Sequence, residues 1–143
     1  MAQEFLPELM ALQEHKLHKQ EDIDEASAFL ARQGFASCWG PAVAGPNQHP
    51  SAGVAVIIAS RLGCKPIIAS APTSRIVAAK VQTQKDSEFI FVSAYLHSGK
   101  GLKATNLELL GAVAALQQKH QRYILAAVDW QNKPAAIGST DFL

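Results

Sequence analysis

The chain has little of what would place it in a specialised class of protein. Its 143 residues include only two cysteines, Cys38 and Cys64, which lie far apart without CxxC spacing, so neither a disulfide scaffold nor a zinc site is indicated. No apolar run approaches the roughly 18 residues that a membrane span needs. Glu4 lies where a signal peptide would have basic residues. The sequence therefore predicts an intracellular protein, cytoplasmic or nuclear, with reduced thiols and no membrane contact.

Charge is also scarce and nearly balanced. Lys and Arg number 13 against 12 for Asp and Glu, which gives a formal net charge of +1. Long-range attraction of a polyanion is therefore not expected, and any contact with nucleic acid would depend on a local basic patch. Hydrophobic residues make up 48% of the chain, which is enough to bury a core. We expect one globular domain over residues 1–143.

Two amphipathic helices are expected from the apolar periodicity. The first, over residues 22–33, opens with acidic residues and stops at Gly34, as the helix dipole and the common glycine stop signal favour. The second, over residues 105–121, opens with a capping box formed by Thr105 and Glu108. Both are expected to cover a sheet with their apolar faces. On the first helix this face carries Ile23, Ala26, Phe29 and Leu30.

Five strands are expected. One precedes the first helix, three lie between the two helices, and one follows the second helix. They span residues 8–13, 53–59, 75–81, 89–96 and 123–128. Periodicity alone leaves the first open between strand and helix. The three middle runs are separated by segments too short for a crossover helix, so they should pair antiparallel. Residues 39–51 are rich in Pro, Gly, Asn and Ser and predict a long surface loop. The order predicts a mixed α/β (α+β) sandwich.

Two carboxylates follow predicted strands. Glu14 lies in Leu12-Gln13-Glu14-His15, Asp129 lies in Val128-Asp129-Trp130-Gln131, and Tyr95 comes between them at the end of another strand. A strand-end carboxylate can anchor Mg²⁺, which takes one or two protein carboxylates and keeps several waters. A second carboxylate can orient or deprotonate water, and a phenol can donate a hydrogen bond to phosphate without adding charge. Taken alone, Glu14 is better explained as a solvated glutamate at a strand end, whereas Tyr95 is explained equally well as an aromatic residue packed at a sheet edge.

In this order, the Gln13-Glu14 pair, Tyr95 and Asp129 resemble the endonuclease/exonuclease/phosphatase superfamily. Its members are metal-dependent phosphoesterases and include apurinic DNA-repair endonucleases and retroelement endonuclease domains. The resemblance implies a four-layer αββα sandwich with mixed, largely antiparallel sheets. It also implies that Glu14 holds Mg²⁺ or Mn²⁺, that Asp129 positions water, and that Tyr95 contacts a phosphate of nucleic acid or of another phosphodiester substrate.

The resemblance is incomplete around its last motif. The family's Gly-Asp-Phe-Asn becomes Val-Asp-Trp-Gln here, so Gln131 takes the role of the phosphate-binding asparagine, with its amide displaced by more than about 1 Å. His97 lies where repair endonucleases have an asparagine, and we include it in the catalytic set. Asn106 resembles the asparagine that often opens the family's corresponding helix, although helix capping explains it equally. The opening strand and the closing Ser-Asp-His motif of the family would lie outside residues 1–143.

The sequence therefore predicts the lineage of a Mg²⁺-dependent phosphodiesterase or endonuclease, partial in extent and impaired or inactive because two motifs are missing. The alternative is a non-catalytic interaction or nucleic-acid-binding module, or a gene fragment, that keeps the fold. Part of a two-sheet sandwich would leave apolar strand edges and faces uncovered. A homo-oligomer or a partner chain over the exposed sheet is expected in that case.

Overall fold

The computed structural model describes residues 8–44, 49–67, 74–83, 87–97 and 104–129. Two helices and nine strands lie in these ranges. In chain order they are β1 (Leu9–Gln13), α1 (Gln20–Arg32), β2 (Phe35–Gly40), β3 (Val43–Ala44), β4 (Pro50–Ser51), β5 (Val54–Ala59), β6 (Gly63–Ile67), β7 (Ile76–Gln82), β8 (Glu88–Tyr95), α2 (Ala104–His120) and β9 (Tyr123–Asp129). Within the described ranges, no helix has the length and apolar character needed to cross a membrane.

The longer strands form two sheets. In the first sheet, β5 lies between β1 and β2 and pairs antiparallel with both. In the second sheet, the order is β6-β7-β8-β9, with antiparallel pairs except for β8 and β9, which run parallel. The parallel pair requires a crossover, and α2 supplies it. The short strands β3 and β4 pair only with each other.

The two sheets pack face to face, with one helix outside each. Six buried side chains fill the space between the sheets, and they come from β2, β5, β7 and β8: Cys38, Val56, Ile58, Ala79, Val81 and Phe91. A second cluster packs α2 onto the opposite face of the second sheet, where Ile90 and Val92 of β8 meet Leu109 and Leu116 of the helix. The alternation of side chains along β8 therefore serves two cores at once. The result is the four-layer αββα arrangement, with largely antiparallel sheets, that the family resemblance implied.

Helix α1 covers the first sheet less tightly than predicted. Ile23 is buried, but Phe29, which was expected on the covered face, is 54% exposed. It borders an open cleft of about 570 Å³ between the helix and the sheet, whose floor includes Leu12 and Ile57. The amphipathic pattern therefore locates the helix correctly but overstates how much of its apolar face is buried.

The pairing of the three middle strands differs from the expectation. β7 and β8 are antiparallel neighbours, as predicted, but β5 belongs to the other sheet. Four strands were missed, the short β3 and β4 and the longer β2 and β6. β2 lies partly in the segment assigned to a loop, and β6 contains Pro66, which disfavours a central strand and is tolerated here because β6 is the first strand of its sheet. Periodicity identifies a strand but carries no information about its neighbour.

The two cysteines, distant in sequence, meet between the sheets. Their sulfur atoms are 3.9 Å apart, with Cys38 on β2 and Cys64 on β6, and both are free thiols, as expected. Burial raises the pKa of Cys38 to about 12, and the neighbouring Cys64 adds to the rise. Because the thiolate is the nucleophile, this site is protected from alkylation.

The native protein is therefore expected to react slowly with thiol reagents. At pH 8, Cys38 should react slowly with 5,5′-dithiobis(2-nitrobenzoic acid). Denaturant should expose both thiols to the reagent, so that both then react at once. The Cys38→Ala variant reports the reactivity of Cys64 alone and serves as the control. Rapid modification of Cys38 in the folded protein would contradict the burial described here.

Candidate active site at the ends of three strands

Three of the residues singled out in the sequence come together at one end of the sandwich. Tyr95 ends β8 and Asp129 ends β9, and these two are partners in the parallel ladder. Glu14 follows β1 in the other sheet. Burial raises the pKa of Tyr95, and the charge of Glu14, a hydrogen bond to Glu14 and the charge of Asp129 raise it further. Both carboxylates therefore lie within electrostatic reach of a phenol that stays protonated at neutral pH.

Glu14 adopts an unusual backbone conformation. Its φ is 58° and that of Lys16 is 62°, so both occupy the left-handed region, which costs a residue other than glycine roughly 1–2 kcal/mol. The carboxylate lies 3.7 Å from Nζ of Lys16 and is about half exposed. Strained backbone persists only where the surroundings impose it, and such positions cluster at functional sites.

His15 imposes this conformation from beneath the turn. Its Nδ1 accepts a hydrogen bond from the Leu17 N–H at 2.9 Å, so the neutral ring carries its proton on Nε2. That nitrogen lies 3.1 Å from the carbonyl oxygen of Gly40 and 3.3 Å from that of Val54. The ring also meets Trp39 edge-on at 5.2 Å. His15 therefore ties the turn after β1 to β5 and β2, the other two strands of the first sheet.

Arg75 is a member of the cluster that sequence reasoning missed. Its guanidinium lies over the Tyr95 ring, 4.7 Å from the centroid, and its Nη1 donates to the carbonyl oxygens of Tyr95 at 3.4 Å and Leu96 at 3.1 Å. Burial lowers the pKa of Arg75, while Tyr95 and Glu14 raise it. The signal was the antiparallel pairing of β7 with β8, which places the residue before Ile76 beside the one after Ala94.

The segment after Tyr95 is held by Asn106. This side chain is fully buried; its Oδ1 accepts from the His97 N–H at 2.6 Å, and its Nδ2 donates to the His97 carbonyl oxygen at 3.2 Å. Asn106 lies in the first turn of α2, which begins at Ala104, one residue before the expected cap at Thr105. The helix thus fixes the backbone of His97, whose role toward phosphate stays a prediction. Gln131 lies outside the described residues.

The carboxylates suit a hard divalent cation. Among the described residues, no group of three or more His, Cys, Asp and Glu side chains could enclose a metal, which argues against a closed zinc-type site within that part of the chain. Glu14 and Asp129 on either side of Tyr95 offer two carboxylates instead. Mg²⁺ and Mn²⁺ accept such a sparse set because water or substrate oxygens complete their coordination.

Comparison with solved structures identifies the fold of the chain. No family model matches the chain, and none of the curated proteins matches it. Among solved structures, the human Nocturnin catalytic domain with bound sulfate superposes with a TM-score of 0.65 at 18% identity, over 90% of this chain and 52% of that one. ANGEL2, a 2′,3′-cyclic phosphatase, gives a TM-score of 0.61 at 14% identity, over 89% and 40%.

The chain thus spans about half or less of the length of these structures. Both are members of the endonuclease/exonuclease/phosphatase superfamily. The similarity extends over about nine-tenths of this chain. The chain therefore has the fold of the endonuclease/exonuclease/phosphatase superfamily.

Proposed function

We propose that the cluster at the strand ends is part of the active site of a divalent-metal-dependent phosphodiesterase. The observation that carries the proposal is that three charged residues from two sheets act on the Tyr95 phenol. Glu14 hydrogen-bonds to it, the charge of Asp129 raises its pKa, and Arg75 lies over its ring. The fold supports it, since ANGEL2 is a 2′,3′-cyclic phosphatase and the Nocturnin domain binds sulfate, an anion of phosphate-like shape. A nucleic acid or another phosphodiester is the proposed substrate class.

Each residue has a task that its surroundings favour. Glu14 would hold Mg²⁺ or Mn²⁺, which when bound neutralises charge on the phosphoryl oxygens. Asp129 orients the attacking water and accepts its proton. Tyr95, whose hydroxyl hydrogen-bonds to Glu14 in the structure, would donate to a phosphate oxygen once Glu14 holds the cation. Arg75 supplies a positive charge already held in place by two backbone carbonyls.

Low activity is part of the proposal. The resemblance assigns phosphate stabilisation partly to Gln131 and His97, where the family has asparagine. Loss of one such donor costs about 10²–10³ in rate. Binding of the cation is therefore a better first test than turnover. An intracellular setting, inferred from the reduced thiols, belongs to the same proposal.

The test is thermal unfolding with and without millimolar Mg²⁺. The wild-type midpoint should rise with Mg²⁺, by the equivalent of about 1.4 kcal/mol at a concentration tenfold above Kd, and Glu14→Gln should lose the rise. Glu8→Gln is the matched control, because Glu8 lies just before the other end of β1, paired with Arg61. Its response should equal that of the wild type. Equal responses in all three proteins, or none in the wild type, would overturn the proposal.

A second candidate function is favoured by one surface. The second sheet extends one strand beyond the first, and on β9 Tyr123 is 86% exposed and Leu125 52% exposed. Both belong to the face that β8 turns toward the first sheet, since they pair with Phe89 and Phe91. An apolar strip of this kind favours association with another polypeptide. We propose that the same fold can serve as an interaction module through this strip.

Size-exclusion chromatography with light scattering tests this candidate. The Tyr123→Glu/Leu125→Glu variant should shift the wild-type assembly to monomer and leave any Mg²⁺ response unchanged. Val43→Glu is the control, because Val43 is also 52% exposed but lies on β3, apart from the second sheet. A wild-type protein that is monomeric, and that does not associate with an added partner polypeptide, would argue against the interaction module.

A further inference from the structure

A chain of polar contacts crosses the apolar space between the two sheets. The Ser93 hydroxyl on β8 donates to the Leu12 carbonyl oxygen on β1 at 2.9 Å. Nε2 of Gln13 donates to the Ser93 hydroxyl oxygen at 3.1 Å and to the Ala127 carbonyl oxygen on β9 at 3.2 Å. Ser93 is fully buried. Both hydrogens of the Gln13 amide and the hydroxyl of Ser93 are thus satisfied in this bridge, which we call the Gln13–Ser93 bridge.

Every anchor of the bridge lies within two residues of the cluster. Gln13 and Leu12 immediately precede Glu14, Ser93 precedes Tyr95 by two residues, and Ala127 precedes Asp129 by two. Two residues along a strand return to the same face of the sheet. Displacement of the bridge would therefore be transmitted directly to Glu14, Tyr95 and Asp129.

The bridge supplies what sheet pairing cannot. Tyr95 and Asp129 are fixed to each other by the β8–β9 ladder, but Glu14 belongs to the other sheet, and face-to-face sheets share no backbone ladder. Apolar packing between sheets is non-directional, so it leaves small sliding movements inexpensive. A misplacement of about 1 Å is nonetheless enough to lower a rate by about 10²-fold. Directional hydrogen bonds between the sheets remove that freedom at the one end where it matters.

The chemistry of the bridge is also unexpected for a purely structural role. Its surroundings between the sheets are apolar, with Phe91, Val56 and Val77 among the nearby core side chains. Burying a serine and a glutamine amide there costs desolvation that apolar side chains of similar size avoid. Replacing both partners of a buried hydrogen bond by apolar groups is often nearly neutral for stability. Stability alone therefore does not explain this pair.

We propose that Gln13 and Ser93 are positioning residues. Their bridge fixes the position of β1 against β8 and β9 and so holds Glu14 beside Tyr95 and Asp129, where it can bind the cation. The inference rests on the proposed function for its consequence, though not for its geometry. Gln13 and Glu14, which are neighbours in one sequence motif, thereby have different roles. Glu14 takes the cation, whereas Gln13 has its amide nitrogen engaged inside the sandwich.

The test compares variants that weaken the interface with and without loss of the bridge. Gln13→Met/Ser93→Ala removes the bridge and keeps the approximate volume. Val81→Ala, at a fully buried position on β7 in the same inter-sheet core, removes packing and keeps the bridge. Ser93→Thr retains the hydroxyl. The Mg²⁺ concentration that gives half of the full rise in unfolding temperature should increase at least tenfold in the double variant. In Val81→Ala and Ser93→Thr it should stay within about threefold of the wild-type value. An unchanged Mg²⁺ concentration in the double variant would overturn the proposal.

A second measurement does not depend on the cation. In nuclear Overhauser spectra, the contact between the Glu14 side chain and the Tyr95 ring should be present in the wild type and lost in the double variant, while contacts along the ladder between Tyr95 and Asp129 persist. A wild type without any Mg²⁺ response that still shows this pattern would sink the proposed function and uphold the positioning role. A Glu14 contact that survives removal of the bridge would sink the positioning role whatever the Mg²⁺ result.

Discussion

Gly53→Ala is expected to destabilise the protein by about 2–5 kcal/mol. The residue has a φ of +94°, where a side chain is strained, and an added Cβ would lie 2.5 Å from Cε1, 2.7 Å from Nδ1 and 2.9 Å from Nε2 of His15. The ring cannot retreat without losing its contacts to Gly40, Val54 and Leu17. Chemical denaturation measured by circular dichroism gives the change in the free energy of unfolding.

Gly34→Ala supplies the matched control. Gly34 has nearly the same φ, +92°, but an added Cβ there would meet nothing within 4 Å. Its cost is therefore the backbone alone, about 1–2 kcal/mol, and the excess at Gly53 measures the clash with His15. The Gly53→Ala/His15→Ala double variant should cost less than the sum of the single changes, because removing the ring removes the clash. Equal costs for Gly53→Ala and Gly34→Ala would contradict the close approach.

The consequence of that close approach reaches the candidate site. His15 is the residue next to Glu14, and the turn it supports places two consecutive hydrogen bonds from the amides of His15 and Lys16 onto the carbonyls of Gly53 and Ala52, at 3.2 and 3.0 Å. Displacement of the His15 ring would break these two backbone hydrogen bonds before it disturbed the packing between the sheets. We therefore expect Gly53→Ala to weaken the Mg²⁺ response even at temperatures where the protein remains folded.

Local patterns were sufficient for the elements that lie next to the two cores. The acidic start and glycine stop of α1, the long apolar repeat of α2, and the uninterrupted apolar run of β9 each follow from rules that act within a few residues. Even here, the pattern in α1 did not reveal that Phe29 is 54% exposed. Exposure depends on how much of the first sheet lies beneath the helix.

The sheet partners were beyond the reach of the sequence. β5 reads like β7 and β8, since all three are rich in Val, Ile and Ala, yet it lies between β1 and β2 in the other sheet. Short connections argued for simple neighbours, whereas the chain passes between the sheets after β5 and forms β6 at the start of the second sheet. Which strand pairs with which depends on contacts distant in sequence, and periodicity does not encode them.

The same distinction separates the candidate-site residues that the sequence indicated from those that it did not. Glu14, Tyr95 and Asp129 each follow or end an apolar strand, and in this order they resemble the motifs of the superfamily. Arg75 precedes its strand in a serine- and alanine-rich segment and gave no signal until β7 was paired with β8. Gln13 and Ser93 alternate correctly as inward-facing residues, where polarity argued against burial. The hydrogen bond between Gln13 and Ser93 joins residues that are 80 positions apart in the sequence.

The largest effect on chemistry is expected at Arg75. Arg75→Lys should raise the dissociation constant for inorganic phosphate, measured by calorimetry with Mg²⁺ present, by about 10–100-fold. It should lower hydrolysis of bis(4-nitrophenyl) phosphate, where the wild type has measurable activity, by about 10²–10³. Lysine keeps the charge, but it cannot stack flat on Tyr95 while donating to the carbonyls of Tyr95 and Leu96 and still present a further donor in a fixed direction.

Arg61→Lys is the control for a general change of arginine to lysine. Arg61 is exposed and paired with Glu8 at the opposite end of β1, so phosphate binding and kcat/KM should remain at wild-type values. The thermal midpoint of Arg75→Lys, measured without phosphate, separates a loss of contact with the anion from a loss of folding. A variant that stays folded and binds phosphate as the wild type does would show that Arg75 merely braces Tyr95. In that case the positive charge facing the phosphate would have to come from Lys16, which already lies 3.7 Å from the Glu14 carboxylate.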